Sequence, residues 1–199
     1  MRKPAEAAFP LDEAIHERWS PRGFAETPPT ASELGSLFEA FRWAPSCANG
    51  QPWGLIVGVK GRGDAWQRLF DALTPGNQSW CDRVPVLMVT VAVPSFRHNG
   101  RPNRHWQHDV GLASAQMAVQ AASMGLAVHF MGGFDRDKVR SAFGVPENHE
   151  PMAAVAAGRQ AEPGTVPEDI AARDASPRSR LGLNEIIFGV RWGEALPLG

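Results

Sequence analysis

Apolar positions along the chain recur with two periods. Leu34, Leu37, Phe38 and Phe41 share helical spacing behind Thr30-Ala-Ser-Glu33. That tetrad is a capping box, in which hydroxyl and carboxylate each satisfy a backbone donor. A helix is predicted from there to about Ala44, where Pro45 ends it. Trp66, Leu69, Phe70 and Leu73 lie on one face of a second helix over Asp64–Leu73. A short helix is predicted from Leu11 to Trp19, stopped by Ser20-Pro21 and Gly23. Asp135 caps a helix running to about Phe143. Asp109–Met124 reads as a longer helix with Asp109 as its cap. It is rich in Ala, Gly and Ser, which predicts a central position or a subunit contact. Strands are predicted over Trp53–Lys60, Pro85–Val93, Leu126–Met131 and Pro151–Gly158. Pro85–Val93 is apolar on both faces and is therefore expected inside the sheet. Ser95–Gln107 is polar and irregular, Gln160–Ser179 reads as a surface excursion, and Leu183–Arg191 as a last strand or docked tail. Helices first, then strands interleaved with helices, point to a layered α+β or α/β fold.

Composition narrows this picture. A chain of 199 residues with 43% hydrophobic residues suits one domain over 1–199. No apolar run reaches the ~18 residues of a spanning helix, so no membrane association is expected. The start, Met1-Arg-Lys-Pro-Ala-Glu6, leads into no long apolar stretch, and no secretory signal is expected. The formal charge of −1 gives no support for nucleic-acid binding. The cations are 17 Arg and 3 Lys, and arginine is the side chain suited to bidentate phosphate recognition. Tyr is absent, which excludes a tyrosine acid or base. Cys47 and Cys81 lack paired spacing and point to a reducing, cytoplasmic setting.

Five segments can carry chemistry. Arg18-Trp-Ser-Pro-Arg22 sets two guanidiniums and a hydroxyl at a helix end, which fits a phosphate site and equally a solvated terminus. Pro45-Ser-Cys-Ala-Asn-Gly-Gln-Pro52 is a proline-restricted polar loop, suited to ligand contacts or to an ordinary turn. Phe130-Met-Gly-Gly-Phe134 lets a ligand approach the main chain at a strand end. Pro177-Arg-Ser-Arg-Leu181 again sets two arginines around a serine. His105, His108 and Asp109 carry part of a metal-ligand pattern, or simply the start of a helix.

Taken together and in order, these segments resemble the FMN-dependent nitroreductase family over nearly the whole chain. The match rests on Arg18-Trp-Ser-Pro-Arg22-Gly-Phe24 and Trp43-Ala-Pro-Ser-Cys-Ala-Asn-Gly-Gln-Pro-Trp53. It continues through Pro75-Gly-Asn77, Asp109-Val-Gly-Leu-Ala113, Gly125-Leu126, Gly132-Gly-Phe-Asp135 and Pro177-Arg-Ser-Arg-Leu181.

The resemblance implies a mixed sheet flanked by helices in an intertwined homodimer, with FMN at the subunit seam. Arg18, Ser20 and Arg22 would hold the phosphate and ribityl chain, with a main-chain contact at Trp19. Arg178 and Arg180 would complete the phosphate clamp, and the tail from about 177 to 199 would contribute to the FMN site or the dimer. Pro45, Ser46, Cys47 and Asn49 would meet the flavin from the other subunit. Asn77 would contact the pyrimidine edge, while Trp80 falls near a position that is often Lys. Gly132 and Gly133 would present main chain to the hydride-accepting nitrogen. The implied activity is ping-pong hydride transfer from NAD(P)H to a small-molecule acceptor of nitroaromatic or quinone type. Two other readings remain at this level: a flavin-binding protein without turnover, and a metal-dependent hydrolase on His105, His108 and Asp109. Phe96, Trp106, Phe130 and Phe134 are candidates for a substrate-pocket wall, and Ser95–His108 for a lid.

Overall fold

A computed structural model describes residues 1–162 and 164–198. Four strands, β1 (Trp53–Val59), β2 (Val86–Ala92), β3 (Ala127–Met131) and β4 (Glu150–Gly158), form one sheet in the order β1-β2-β4-β3. All three pairings are antiparallel. Within one chain the sheet is therefore antiparallel and not the mixed sheet the resemblance implies, because β4 inserts between β2 and β3, the two strands that run the same way. The α+β class holds.

β2 is buried at every position, as its unbroken apolar run predicts for an internal strand. Its side chains serve two cores on opposite faces. Leu87, Val89 and Val91 join Trp66 and Leu69 of α3 (Ala65–Ala72) and Val139 of α6 (Arg136–Phe143). Val86, Met88 and Ala92 join Leu37 and Phe41 of α2 (Ala31–Arg42) and Met117 of α5 (Trp106–Ser123). The ladder shifts register between Thr90 and Val91, and the Thr90 hydroxyl accepts the Ala153 N–H there at 3.1 Å. That hydroxyl takes up a donor the bulge would otherwise leave orphaned.

Local signals set several helix starts. The Thr30–Glu33 capping box is present in both directions. The Asp135 carboxylate accepts the Lys138 N–H at 2.9 Å. The first predicted helix is shorter, α1 (Glu13–Glu17), and starts from an Asp12 cap.

Three expectations change and one helix is new. α5 begins at Trp106, so Asp109 lies in its first turn and is not its cap. α4 (Pro75–Cys81) has no apolar stripe to announce it. It forms because Trp80 buries between Phe24 and His129 and Asn77 binds the Gly133 carbonyl. The excursion after β4 contains α7 (Glu168–Ala175), pinned by buried Ile170 and Asp174. Leu183–Arg191 adds no strand to the sheet. It holds α8 (Leu183–Ile186) and part of a turn bridged between Phe188 and Ala195, with Val190 and Trp192 each 91% exposed.

Candidate functional site

The first group of site residues is an arginine cradle of about 240 Å³. Arg18, Trp19, Ser20 and Arg22, from the turn after α1, face Arg173, Asp174, Ser176, Pro177, Arg178 and Arg180, from the end of α7 and beyond; Lys3 closes one side. Six cationic side chains and one carboxylate thus line the cavity. No ion pair among the described residues involves Arg18, Arg22, Arg178 or Arg180. Burial and the neighbouring Arg178 and Arg180 charges push Arg18 below its ordinary value. Burial and Arg180 do the same to Arg178, against a small opposing effect of Glu17. Like charges held together in a half-buried concavity make a receptor for an anion, and a fork of guanidiniums suits phosphate oxygens. The Ser20 hydroxyl is 3.4 Å from the Arg18 guanidinium. The Lys3 ammonium sits 4.9 Å over the Trp19 ring.

The second group is Asn77, Gly132 and Gly133. β3 delivers the glycines to the sheet end, beside α4. The Gly133 carbonyl accepts from Asn77 Nδ2 at 2.8 Å, Thr74 N at 3.0 Å and Thr74 Oγ1 at 3.1 Å. A Cβ on Gly133 would stand 2.8 Å from both Asn77 Nδ2 and Thr74 Oγ1, so this close approach requires glycine. A Cβ on Gly132 would meet nothing within 4 Å. Among the described residues neither glycine N–H donates to a protein acceptor. Two main-chain donors thus stand free at a strand end. Three residues back on β3, His129 Nδ1 donates to the Pro21 carbonyl at 2.8 Å, which ties this strand to the cradle turn. Burial lowers the His129 value against weaker opposing hydrogen bonds.

The third group is the loop of Pro45, Ser46, Cys47 and Asn49. Ala48, Asn49 and Gln51 all adopt positive φ (49°, 52° and 44°). Three non-glycine residues in that region within four positions mark a constrained loop. The Asp109 carboxylate, 1% exposed as a residue, accepts the Cys47 N–H at 3.0 Å. The Ser46 hydroxyl accepts the Gln51 N–H at 3.1 Å. Arg97 donates to the Gln51 and Trp53 carbonyls at 3.2 and 3.1 Å, and the Phe96 ring lies where a Cβ on Gly50 would point. No hydrogen bond joins this loop to the arginine cradle among the described residues.

Asp109 is thus occupied by the loop and by His108 Nδ1 at 3.2 Å. No group of three His, Cys, Asp or Glu side chains is placed to hold a metal among the described residues. Of the candidate pocket aromatics, Phe134 is buried in one core and Phe130 and Trp106 pack against the other. Sequence reasoning missed Asp174, Lys3 and Arg173 of the cradle, and no local signal marks them.

A model of the Nitroreductase family matches residues 15–159. An uncharacterized 15.4 kDa protein of Mycolicibacterium smegmatis is 44% identical over 96 residues, 48% of this chain and 65% of that protein. A Ralstonia nicotianae protein with the provisional name NADH dehydrogenase/NAD(P)H nitroreductase is 26% identical over 152 residues, 67% of this chain and 76% of its own. The crystal structure of an oxidoreductase containing FMN superposes with a TM-score of 0.86 at 29% identity, covering 94% of this chain and 95% of the other. Among the described residues no helix is long and apolar enough to cross a membrane.

Proposed function

The chain belongs to the nitroreductase family, and from that membership we propose that it is an FMN-dependent oxidoreductase, passing a hydride from NAD(P)H to an electron-poor nitroaromatic or quinone. The observation that carries the reading is the cradle, where six cations and one carboxylate converge and four arginines pair with no acid among the described residues. A phosphate dianion satisfies that donor set, and the free Gly132 and Gly133 amides suit the acceptor nitrogens of a flavin ring. Bound FMN would supply the two-electron chemistry that links nicotinamide oxidation to reduction of the acceptor.

The protein's part is position and electrostatics. Arg18, Arg22, Arg178 and Arg180 anchor the phosphate, with Ser20 and the Trp19 main chain beside it. Gly132 and Gly133 offer amide donors toward the ring, where they stabilise negative charge as it develops. Asn77 and Thr74 hold the Gly133 carbonyl and so fix the main chain at this strand end. No side chain need act as acid or base, in keeping with a chain that lacks Tyr. In the homodimer that the family resemblance implies, each subunit's Pro45–Asn49 loop completes the other's site. The exposed apolar side chains of residues 181–198 support the same assembly.

Anaerobic titration of the purified holoprotein with NADH and NADPH, followed by nitroarene and quinone acceptors, tests the reading. Bleaching of a yellow protein and its recovery on adding acceptor are expected, with parallel initial-rate lines for a ping-pong cycle. Flavin that binds but stays oxidised would instead establish a carrier or sensor. Light scattering of the holoprotein should give twice the chain mass.

A further inference from the structure

The arginine cradle takes its shape from a residue outside the stretch that the family model matches. Asp174, near the end of α7, is 7% exposed. Its oxygens accept the Arg22 N–H at 2.9 and 3.0 Å and the Gly23 N–H at 2.9 Å. It is the one acid lining the cavity, yet it pairs with none of the six cations there. A buried carboxylate is costly unless its lone pairs are filled. Here main-chain donors of the turn fill them, which leaves the guanidiniums without a carboxylate partner among the described residues.

Other bonds fix the carboxylate and the turn. Lys3 Nζ donates to the Asp174 carbonyl at 2.7 Å and also to the Ser176 carbonyl. The Arg178 guanidinium donates to the Lys3 carbonyl. On the far side of the turn, His129 holds the Pro21 carbonyl.

We propose that Asp174 is the positioning residue of the phosphate site. By holding the Arg22 and Gly23 N–H groups it sets the direction of the turn, and so the point where Arg18, Ser20 and Arg22 converge. It does not touch the phosphate. The proposal rests on the FMN reading above. Charge alone predicts the opposite consequence: a carboxylate among cations repels a phosphate, so its neutralisation should tighten binding.

That opposition of sign makes the test. Affinities for FMN and for riboflavin, which has the ring but no phosphate, are measured by flavin fluorescence on wild type and on Asp174→Asn. The preference for FMN over riboflavin should fall about tenfold, with riboflavin affinity within about twofold of wild type. An unchanged or increased preference overturns the proposal, and so does an equal loss for both flavins, which marks a general structural role. Should Asp174→Asn fail to fold, Gly23→Ala replaces it. A Cβ there would stand 3.1 Å from Val166 Cγ1 and 3.4 Å from Asp174 Oδ2, crowding the contact between carboxylate and turn with no change in charge. The same fall is expected, and an unchanged preference overturns the proposal. Wild-type protein that binds both flavins equally overturns the FMN reading and the proposal with it. A wild-type preference that survives both substitutions overturns the proposal alone.

Discussion

Two loops of the candidate site are each held by one buried carboxylate, and the strain in each differs in kind. The turn from Arg18 to Gly23 hangs from Asp174 through the N–H groups of Arg22 and Gly23, and its strain is electrostatic: guanidiniums crowd together without acidic partners among the described residues. The loop from Pro45 to Pro52 hangs from Asp109 through the Cys47 N–H, and its strain is conformational, with three non-glycine residues at positive φ. An anion can relieve the first kind. The second kind costs about 1–3 kcal/mol per residue and is held within the chain by the contacts around the loop. The cradle should therefore respond to substitution through ligand affinity, and the loop through stability.

The largest effect is expected in the cradle. Changing Arg18 and Arg180 together to Ala should weaken FMN binding about a hundredfold or more, since two charge-assisted contacts are lost. The apoprotein should melt at the same temperature or higher, because like-charge repulsion is removed. Equilibrium dialysis and thermal melts report the two quantities; a large drop in apoprotein melting temperature would break the comparison.

The loop should behave in the reverse way. Asp109→Ala leaves the Cys47 N–H without its acceptor and should lower unfolding free energy by about 1–3 kcal/mol in urea titrations. Apoprotein stability within about 0.5 kcal/mol of wild type would show that the loop needs no such support.

A smaller contrast lies within the glycine pair. Gly133→Ala drives a methyl against Asn77 and Thr74 and should cost about 1–2 kcal/mol, whereas Gly132→Ala enters open space and should cost under about 0.5 kcal/mol. Equal costs in parallel denaturation curves would contradict the packing at Gly133.

The smallest effect concerns pH. His129 ties β3 to the cradle turn, and burial lowers its value, so the neutral ring is favoured in the folded chain. Its contribution to stability is present above the ordinary imidazole value and is lost as pH falls below it. Unfolding free energy measured from pH 7.5 to 5 should decline, and His129→Gln should flatten that limb. An identical slope in the variant would remove His129 from the account.

Much of the scaffold was legible because its causes are local. The Thr30–Glu33 and Asp135 caps act within four residues, and the apolar run of β2 reads directly as an internal strand. Arg18, Arg22, Arg178 and Arg180 stood out as paired cations around hydroxyls, though only packing brought the two pairs into one cavity. α4 escaped notice because its seven residues carry no periodic face, and tertiary contacts of Asn77 and Trp80 hold it. The assignment of Asp109 as a cap fails for a related reason. An acid near a helix start fits a cap by type, and its acceptor role toward Cys47 spans 62 residues.

By itself the sequence determined where α2, α3 and α6 begin, which strand is central and which side chains can bind an anion, since each depends on residue type and short-range spacing. The tertiary structure alone decided which loops the two buried acids hold. A carboxylate must fill its lone pairs with whatever donors packing brings near, and for Asp174 those donors lie about 150 residues earlier in the chain.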